Sequence, residues 1–436
     1  MTRRVRLARA ALATLLLVGA LTPALSAGPT GSAAAAPRAG VPAPHGASSD
    51  SIRSREYWLD ADGIRSAWTT TRGAGVTIAV IDTGIDGTVA ELRGAVTGGT
   101  DFSGLGAANG QTPVGEDNGH ATMVASLAAG RGTGSNSGVI GVAPEASLLS
   151  ISVGFGAGAR DSDAQIAEAV TWAVDHGAKV INMSLTRNTL DWPTSWDTAF
   201  LYAEDHDVVV VAAAGNRGSG TDEVGAPATM PGVLAVAGVT QSGVASGQAS
   251  AQGITLGVAA PSENLVGVIP GGGYVLWDGT SGAAPIVAGV VALVRAAHPE
   301  LKAPDVINRI LATAHDKGPA GPDALYGHGI VDAAAAVRDD VPHVAANPLG
   351  DLHEWVRVNR RATPAPAPEG SITVPAPVDS TPVIAQPSDP VGVLLPSIPL
   401  LQLVGVPVLI VLLLLFALGG LVVGAVVQFR SLRRTG

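Results

Sequence analysis

Residues 76–86 read VTIAVIDTGID. Val76, Ile78, Val80 and Ile81 make a short β-rich run that follows a Gly73-Ala74-Gly75 turn and breaks off at Thr83-Gly84. The pattern predicts a strand with Asp82 at its carboxyl end. In an open parallel sheet that edge is where loops converge and catalytic groups collect. A single Asp in a turn is most often only a solvated turn residue; its company along the chain changes the reading.

Two further strings supply that company. Residues 118–126 read NGHATMVAS, in which His120 opens an Ala-, Met- and Leu-rich segment that favours helix until Gly130 stops it. Residues 279–289 read GTSGAAPIVAG and lead into a long apolar stretch, so Ser281 is expected at the amino end of a mostly buried helix, with Pro285 tolerated in the first turn. A serine hydroxyl is a poor nucleophile until an imidazole takes its proton, and the imidazole needs a carboxylate to fix its tautomer and stabilise its charge. Asp82, His120 and Ser281 offer those three groups. The free N–H donors of the first helical turn suit the oxyanion formed when a hydroxyl attacks a carbonyl. Residues 208–214 form a continuous apolar run closed by Gly215 and Asn216, which makes the Asn216 amide the candidate second donor. Taken alone, a GTS string reads as a helix cap and an Asn after Gly as a turn residue.

Bulk properties narrow the class. The 436 residues carry a net charge of −10, no cysteine, 56 glycines and 4% aromatics. Disulfides, thiolate metal sites and a cysteine nucleophile are thereby excluded, and a nucleic-acid partner is not expected. The composition suits a turn-rich α/β enzyme with a Val, Ala, Ile and Leu core. No Asp-rich loop shows calcium-ligand spacing, so no cofactor or metal is assigned, although calcium stays open.

The ends of the chain address a membrane. Arg3, Arg4, Arg6 and Arg9 precede an apolar stretch at residues 10–21 and small residues at 24–27, the layout of a secretory signal; the stretch is too short to span roughly 30 Å of hydrocarbon. The Arg pair leaves twin-arginine export open as a route. No charged residue occurs from 391 to 429, and residues 404–427 would give a helix of about 36 Å. Arg430, Arg433 and Arg434 follow, which places the last residues in the cytoplasm and the remainder outside. Residues 362–390, rich in Pro, Ala and Ser, read as an extended stalk reaching up to roughly 90 Å. The expected organisation is a signal peptide at 1–27, a short extension at 28–54, a catalytic domain at 55–340, a Pro/Ala-rich linker at 341–399, a transmembrane helix at 400–429 and a basic tail at 430–436.

The three strings, in the order Asp, His, Ser, resemble the subtilase family of serine endopeptidases over residues 58–337. Supporting strings are AWTTTRGAGVTIAVIDTG from Ala67, GVAPEASLLSISV from Gly141, INMSL from Ile181, APATMPGVLAVAGV from Ala226 and LYGHGIVDAAAAV from Leu325. The resemblance implies a three-layer α/β fold, a mostly parallel sheet with helices on both faces. It implies a triad of Asp82, His120 and Ser281, an oxyanion hole of Asn216 and the Ser281 N–H, and substrate flanks at Ser184, Leu185, Thr186 and at Ala213, Ala214, Gly215. Such flanks would pair with an extended peptide. Four positions depart from the usual family pattern: Ala121, Ser126 and Thr186 stand where Gly is usual, and Gly282 stands where Met or a larger residue is usual. Thr186 is expected to narrow or shift substrate preference, and Ala121 to crowd the His120 helix.

Signal, catalytic domain, proline-rich stalk and single C-terminal span together are similar to the mycosins, membrane proteases of type VII secretion. That similarity implies a protein or peptide substrate, a single-pass anchor in the cytoplasmic membrane with the catalytic domain outside, and a secretion membrane complex as partner. The extension at 28–54 is too short and too rich in Ala, Pro and Gly for a folded inhibitory prodomain. Two other functions share this sequence: a membrane scaffold for a secretion complex with little or no catalysis, and an esterase on the same triad.

Overall fold

The computed structural model describes residues 49–156 and 158–360. The expected signal peptide, stalk, membrane helix and basic tail lie outside the described residues.

The predicted strand is β1 (Thr77–Asp82), and it lies inside a seven-stranded sheet. Its companions are β2 (Val96–Asp101), β3 (Ser147–Ser152), β4 (Val180–Met183), β5 (Val209–Ala213), β6 (Leu234–Val239) and β7 (Leu256–Pro261). They stand in the order β2-β3-β1-β4-β5-β6-β7, and every pairing is parallel. The chain runs from β1 outward to β2, returns to β3, then crosses to β4 on the other side of β1. The strand order therefore reverses at β1, and a crevice opens at such a reversal outside the strands' carboxyl ends. Asp82 sits there, opposite Ser152 of β3 in the register.

Alternation along the strands feeds two cores. Ile78, Val80, Val180, Val209, Val211 and Val236 face one side; Ala79, Ile81, Ile181, Val210, Ala212 and Ala235 face the other. A sheet buried on both faces needs strands that are apolar throughout, which is why β5 reads as five consecutive Val and Ala residues. The first core is covered by helices His120–Ala129 and Thr280–Ala297, the second by Ser162–Asp175 and Thr194–Asp205. An antiparallel hairpin, β8 (Leu265–Val268) and β9 (Tyr274–Trp277), leads into the Thr280 helix. This is the three-layer, mostly parallel α/β arrangement expected from the sequence.

Two expected boundaries shift. The linker expected from residue 341 does not begin there: residues 341–360 carry a further helix, Leu352–Asn359, with Leu352 buried and Trp355 against Trp192 at a ring separation of 4.3 Å. Arg360 then bonds the Asp197 carboxylate at 2.8 Å and the Trp192 carbonyl at 2.8 Å. At the other end, the extension expected to run to residue 54 already folds at helix Ser49–Arg53, where Ile52 is buried and Arg53 donates to the carbonyls of Ser137 and Gly138.

Among the described residues one helix, Thr280–Ala297, is long and apolar enough to cross a membrane, yet 89% of that window is buried inside the domain. It is a core helix.

Candidate active site

Asp82 ends β1 as a buried residue, 3% exposed, and both of its carboxylate oxygens lie 2.9 Å from His120 Nδ1. The Thr83 N–H donates to Asp82 Oδ1 at 2.7 Å, which fixes the carboxylate plane. His120 is the first residue of its helix, behind Gly119. Thr83 Oγ1 donates to the Asp117 carbonyl at 3.3 Å and accepts from the Ala121 N–H at 3.4 Å, so the residue after the Asp also holds the turn that carries the His. Burial disfavours the imidazolium, but the Asp82 carboxylate, with a smaller contribution from Asp117, outweighs it and holds the His120 pKa above the ordinary value. Nε2, the nitrogen turned away from Asp82, is buried and has no hydrogen-bond partner. The Trp277 ring stands edge-on to the imidazole, 5.8 Å between centroids, and walls it from water.

Ser281 is the second residue of helix Thr280–Ala297, where its N–H has no carbonyl four residues back within the helix. Its Oγ donates to the Ser184 carbonyl at 3.2 Å. The structure thus makes the Asp82–His120 half of the expected triad, while the Ser281 hydroxyl is bonded to Ser184 and not to His120. Ser184 Oγ in turn donates to the Ser281 carbonyl at 2.8 Å and receives the Asn182 amide at 2.9 Å, binding the end of β4 to the serine's own turn.

Asn216 follows β5. Its Oδ1 accepts from the Thr280 N–H at 2.8 Å and from Thr280 Oγ1 at 3.1 Å. Thr280 Oγ1 also exchanges hydrogen bonds with the N–H and carbonyl of Gly215, each at 3.1 Å. With its amide oxygen held by Thr280, Asn216 presents its NH2 group away from that contact as a fixed donor.

The six expected flanking residues occupy two adjoining segments, Ser184, Leu185 and Thr186 after β4 and Ala213, Ala214 and Gly215 at the end of β5, and all six are buried. The Ala214 N–H bonds Val236, and the Ala214 and Gly215 carbonyls accept from Gly225 and Ala251.

The departures from the usual pattern have local reasons. Ala121 is fully buried in the core beneath the sheet without interrupting its helix. Ser126 donates to the Met123 carbonyl at 2.7 Å and accepts from the Val268 N–H at 3.3 Å, tying the His120 helix to β8. At Gly282 a side chain would meet Leu265 and come within 3.3 Å of the Trp277 ring, so the wall beside His120 occupies the space a larger residue would need. Thr83, Asn182, Thr280 and Trp277 were not singled out from the sequence as site residues. Thr83, Asn182 and Thr280 lie inside the quoted strings and could have been found there, whereas Trp277 reaches the site only through the hairpin. Among the described residues no group of three or more His, Asp or Glu side chains is arranged to hold a metal ion.

Comparison with known proteins gives concordant results. A profile of the subtilase family matches residues 73–329. Alkaline elastase YaB of Bacillus sp. is 36% identical over 61% of this chain, which spans 65% of that relative, just under two thirds of its length. Mycosin-3 of Mycobacterium tuberculosis is 34% identical over 73% of this chain and 76% of its own. The crystal structure of MycP1 from Mycobacterium smegmatis superposes with a TM-score of 0.59 at 32% identity, covering 70% of this chain and 90% of that one.

Proposed function

Because the chain belongs to the subtilase family of subtilisin-like serine proteases, we propose that it is a membrane-anchored endopeptidase working outside the cytoplasmic membrane, with Ser281 as its nucleophile. In this reading rotation of the Ser281 side chain exchanges the Ser184 carbonyl for His120 Nε2. His120 accepts the hydroxyl proton as Oγ attacks the peptide carbonyl and later returns it to the leaving amine. Asp82 holds the tautomer and stabilises the transient imidazolium. Asn216 and the Ser281 N–H take the developing negative charge, and water then releases the acyl group. Peptide would lie along Ser184, Leu185, Thr186 and Ala213, Ala214, Gly215.

The observation that carries this reading is a buried Asp82–His120 pair whose outer nitrogen is left without a partner beside the serine's helix. An orphaned buried nitrogen costs on the order of 1–3 kcal/mol, a cost sensible at a site that waits for a proton. The anchor and its orientation rest on the apolar stretch at 391–429 and the arginines after it. A role in type VII secretion rests on likeness to mycosin-3 and to MycP1.

Membranes containing the full chain should cleave an unfolded protein substrate such as casein, and membranes containing Ser281→Ala should not. Equal cleavage by both would refute the assignment. Loss of protease in intact cells on external digestion, with the C-terminus spared, would support the proposed orientation; a protected catalytic domain would oppose it.

A further inference from the structure

Building on the protease reading, we propose that Thr186 closes the slot beside Ser281 and restricts the enzyme to substrates with a small side chain, that of alanine, glycine or serine, on the residue whose carbonyl is attacked.

A carbonyl carbon reached by Ser281 Oγ, with its oxygen turned to the Asn216 amide, brings its own side chain down between two segments. One is Ser184–Thr186, whose Ser184 carbonyl already holds Oγ at 3.2 Å. The other contains Gly215, tied through Thr280 to the first turn of the serine's helix. In this protein the two segments touch. A methyl placed on Gly215 would come within 3.3 Å of Thr186 Cγ2 and 2.5 Å of Thr221 Cγ2. One placed on Gly225 would lie 2.5 Å from Thr186 Oγ1 and collide with the Arg187 carbonyl. Thr186 is therefore packed against glycine on two sides, at Gly215 of the facing segment and at Gly225 behind it, and is itself only 3% exposed.

The closure is braced. Arg187 N–H donates to the Ala226 carbonyl at 2.7 Å, Ala226 N–H to the Thr189 carbonyl at 2.9 Å, and Thr221 Oγ1 to Asn188 Oδ1 at 2.6 Å. The Arg187 side chain is ion-paired with Asp163. Opening the slot for an aromatic or long aliphatic side chain would break these bonds, whereas a methyl or hydroxymethyl group needs only a slight parting. At Gly215 the Thr186 methyl stands beside the still closer Thr221 methyl, and of the two only Thr186 belongs to the Ser184–Thr186 segment, so residue 186 narrows the slot from that side.

Peptidyl phosphonates that differ only in the terminal residue read this directly, with a small alkyl fluorophosphonate as a size-neutral control on the full chain in membranes. The alanine phosphonate should label Ser281 at least about tenfold faster than the phenylalanine one, the scale on which a tight pocket resolves added carbons. Thr186→Gly should raise the phenylalanine-to-alanine ratio by about tenfold or more. Thr186→Ser, which keeps the hydroxyl and drops only the methyl, should shift it the same way by less and guards against a folding defect in the glycine variant. Equal rates for the two phosphonates on the wild type would overturn the inference, as would an unchanged ratio in both variants that still react with the control. Failure of every probe, the fluorophosphonate included, would overturn the protease reading and this inference with it.

Discussion

Helices His120–Ala129 and Thr280–Ala297, on one face of the sheet, are buried all round except for the last two residues of the second, whereas Ser162–Asp175 and Thr194–Asp205, on the other, bury one stripe and turn the rest to solvent. Both candidate reacting groups stand at the amino ends of the first pair. A helix packed on every side cannot roll or slide without opening voids, so His120 and Ser281 inherit positions set by the close packing of a core. The second pair carries the more usual pattern, Ile166, Ala169, Val170 and Ala173 inward and charged residues outward. The first face holds chemistry in place; the second covers the sheet.

The largest effects should come from the groups at those helix starts. Asp82→Asn is expected to lower kcat by about 10⁴-fold, because the amide favours the wrong imidazole tautomer. It should also move the acid limb of kcat/KM downward. In the wild type that limb should lie above the ordinary His value of 6.5, since Asp82 raises the His120 pKa and only the neutral imidazole acts as base. A limb unmoved in the variant would show that Asp82 does not govern His120.

Asn216→Ala should cost about 10²–10³-fold in kcat with KM little altered, a figure borrowed from the corresponding donor of subtilisin. A loss confined to KM would instead make Asn216 a ground-state contact.

Stability should separate the two faces next. Leu293→Ala, fully buried in the first core, should destabilise by about 2–5 kcal/mol in denaturant unfolding. Glu168→Ala, which removes an exposed ion pair with Arg160 on the second face, should leave the midpoint unchanged. Similar losses in the two variants would dissolve the distinction.

A last effect concerns Asp62, which is buried near Asp332 at the end of helix Trp58–Ala61, Asp332 capping helix Ala333–Arg338. Burial first, and the Asp332 charge second, hold its carboxyl well above the usual carboxylate range. A folded pKa raised in this way gives stability that is complete below the unfolded pKa and is lost as pH rises through the folded one. Asp62→Asn should therefore flatten the decline of stability as pH rises above the ordinary carboxylate range, read as denaturation midpoint against pH. An unchanged slope would place the pH dependence elsewhere.

Much of this was legible in the sequence because it is written locally. The turn glycines around β1 and the stop at Thr83-Gly84 bound the strand that carries Asp82, and Gly119 and Gly130 bound the His120 helix. What was not legible depends on residues far apart in the chain. Thr186 meets Gly225, and Trp277 reaches His120, only once the loops converge. Helix Leu352–Asn359 is short and borders a proline-rich stretch; Trp192 and Asp197, from a distant loop and helix, hold Trp355 and Arg360 in place. Hydropathy alone also fails to distinguish Thr280–Ala297 from a membrane span, because a helix enclosed by protein and one enclosed by lipid meet similar surroundings.

The central claim is that Ser281 is activated by His120. Peptide mapping after reaction with a fluorophosphonate tests it most directly. The account predicts one adduct, on Ser281, formed by the wild type and suppressed in His120→Ala; an adduct on another residue, or undiminished labelling of Ser281 without the imidazole, would contradict it.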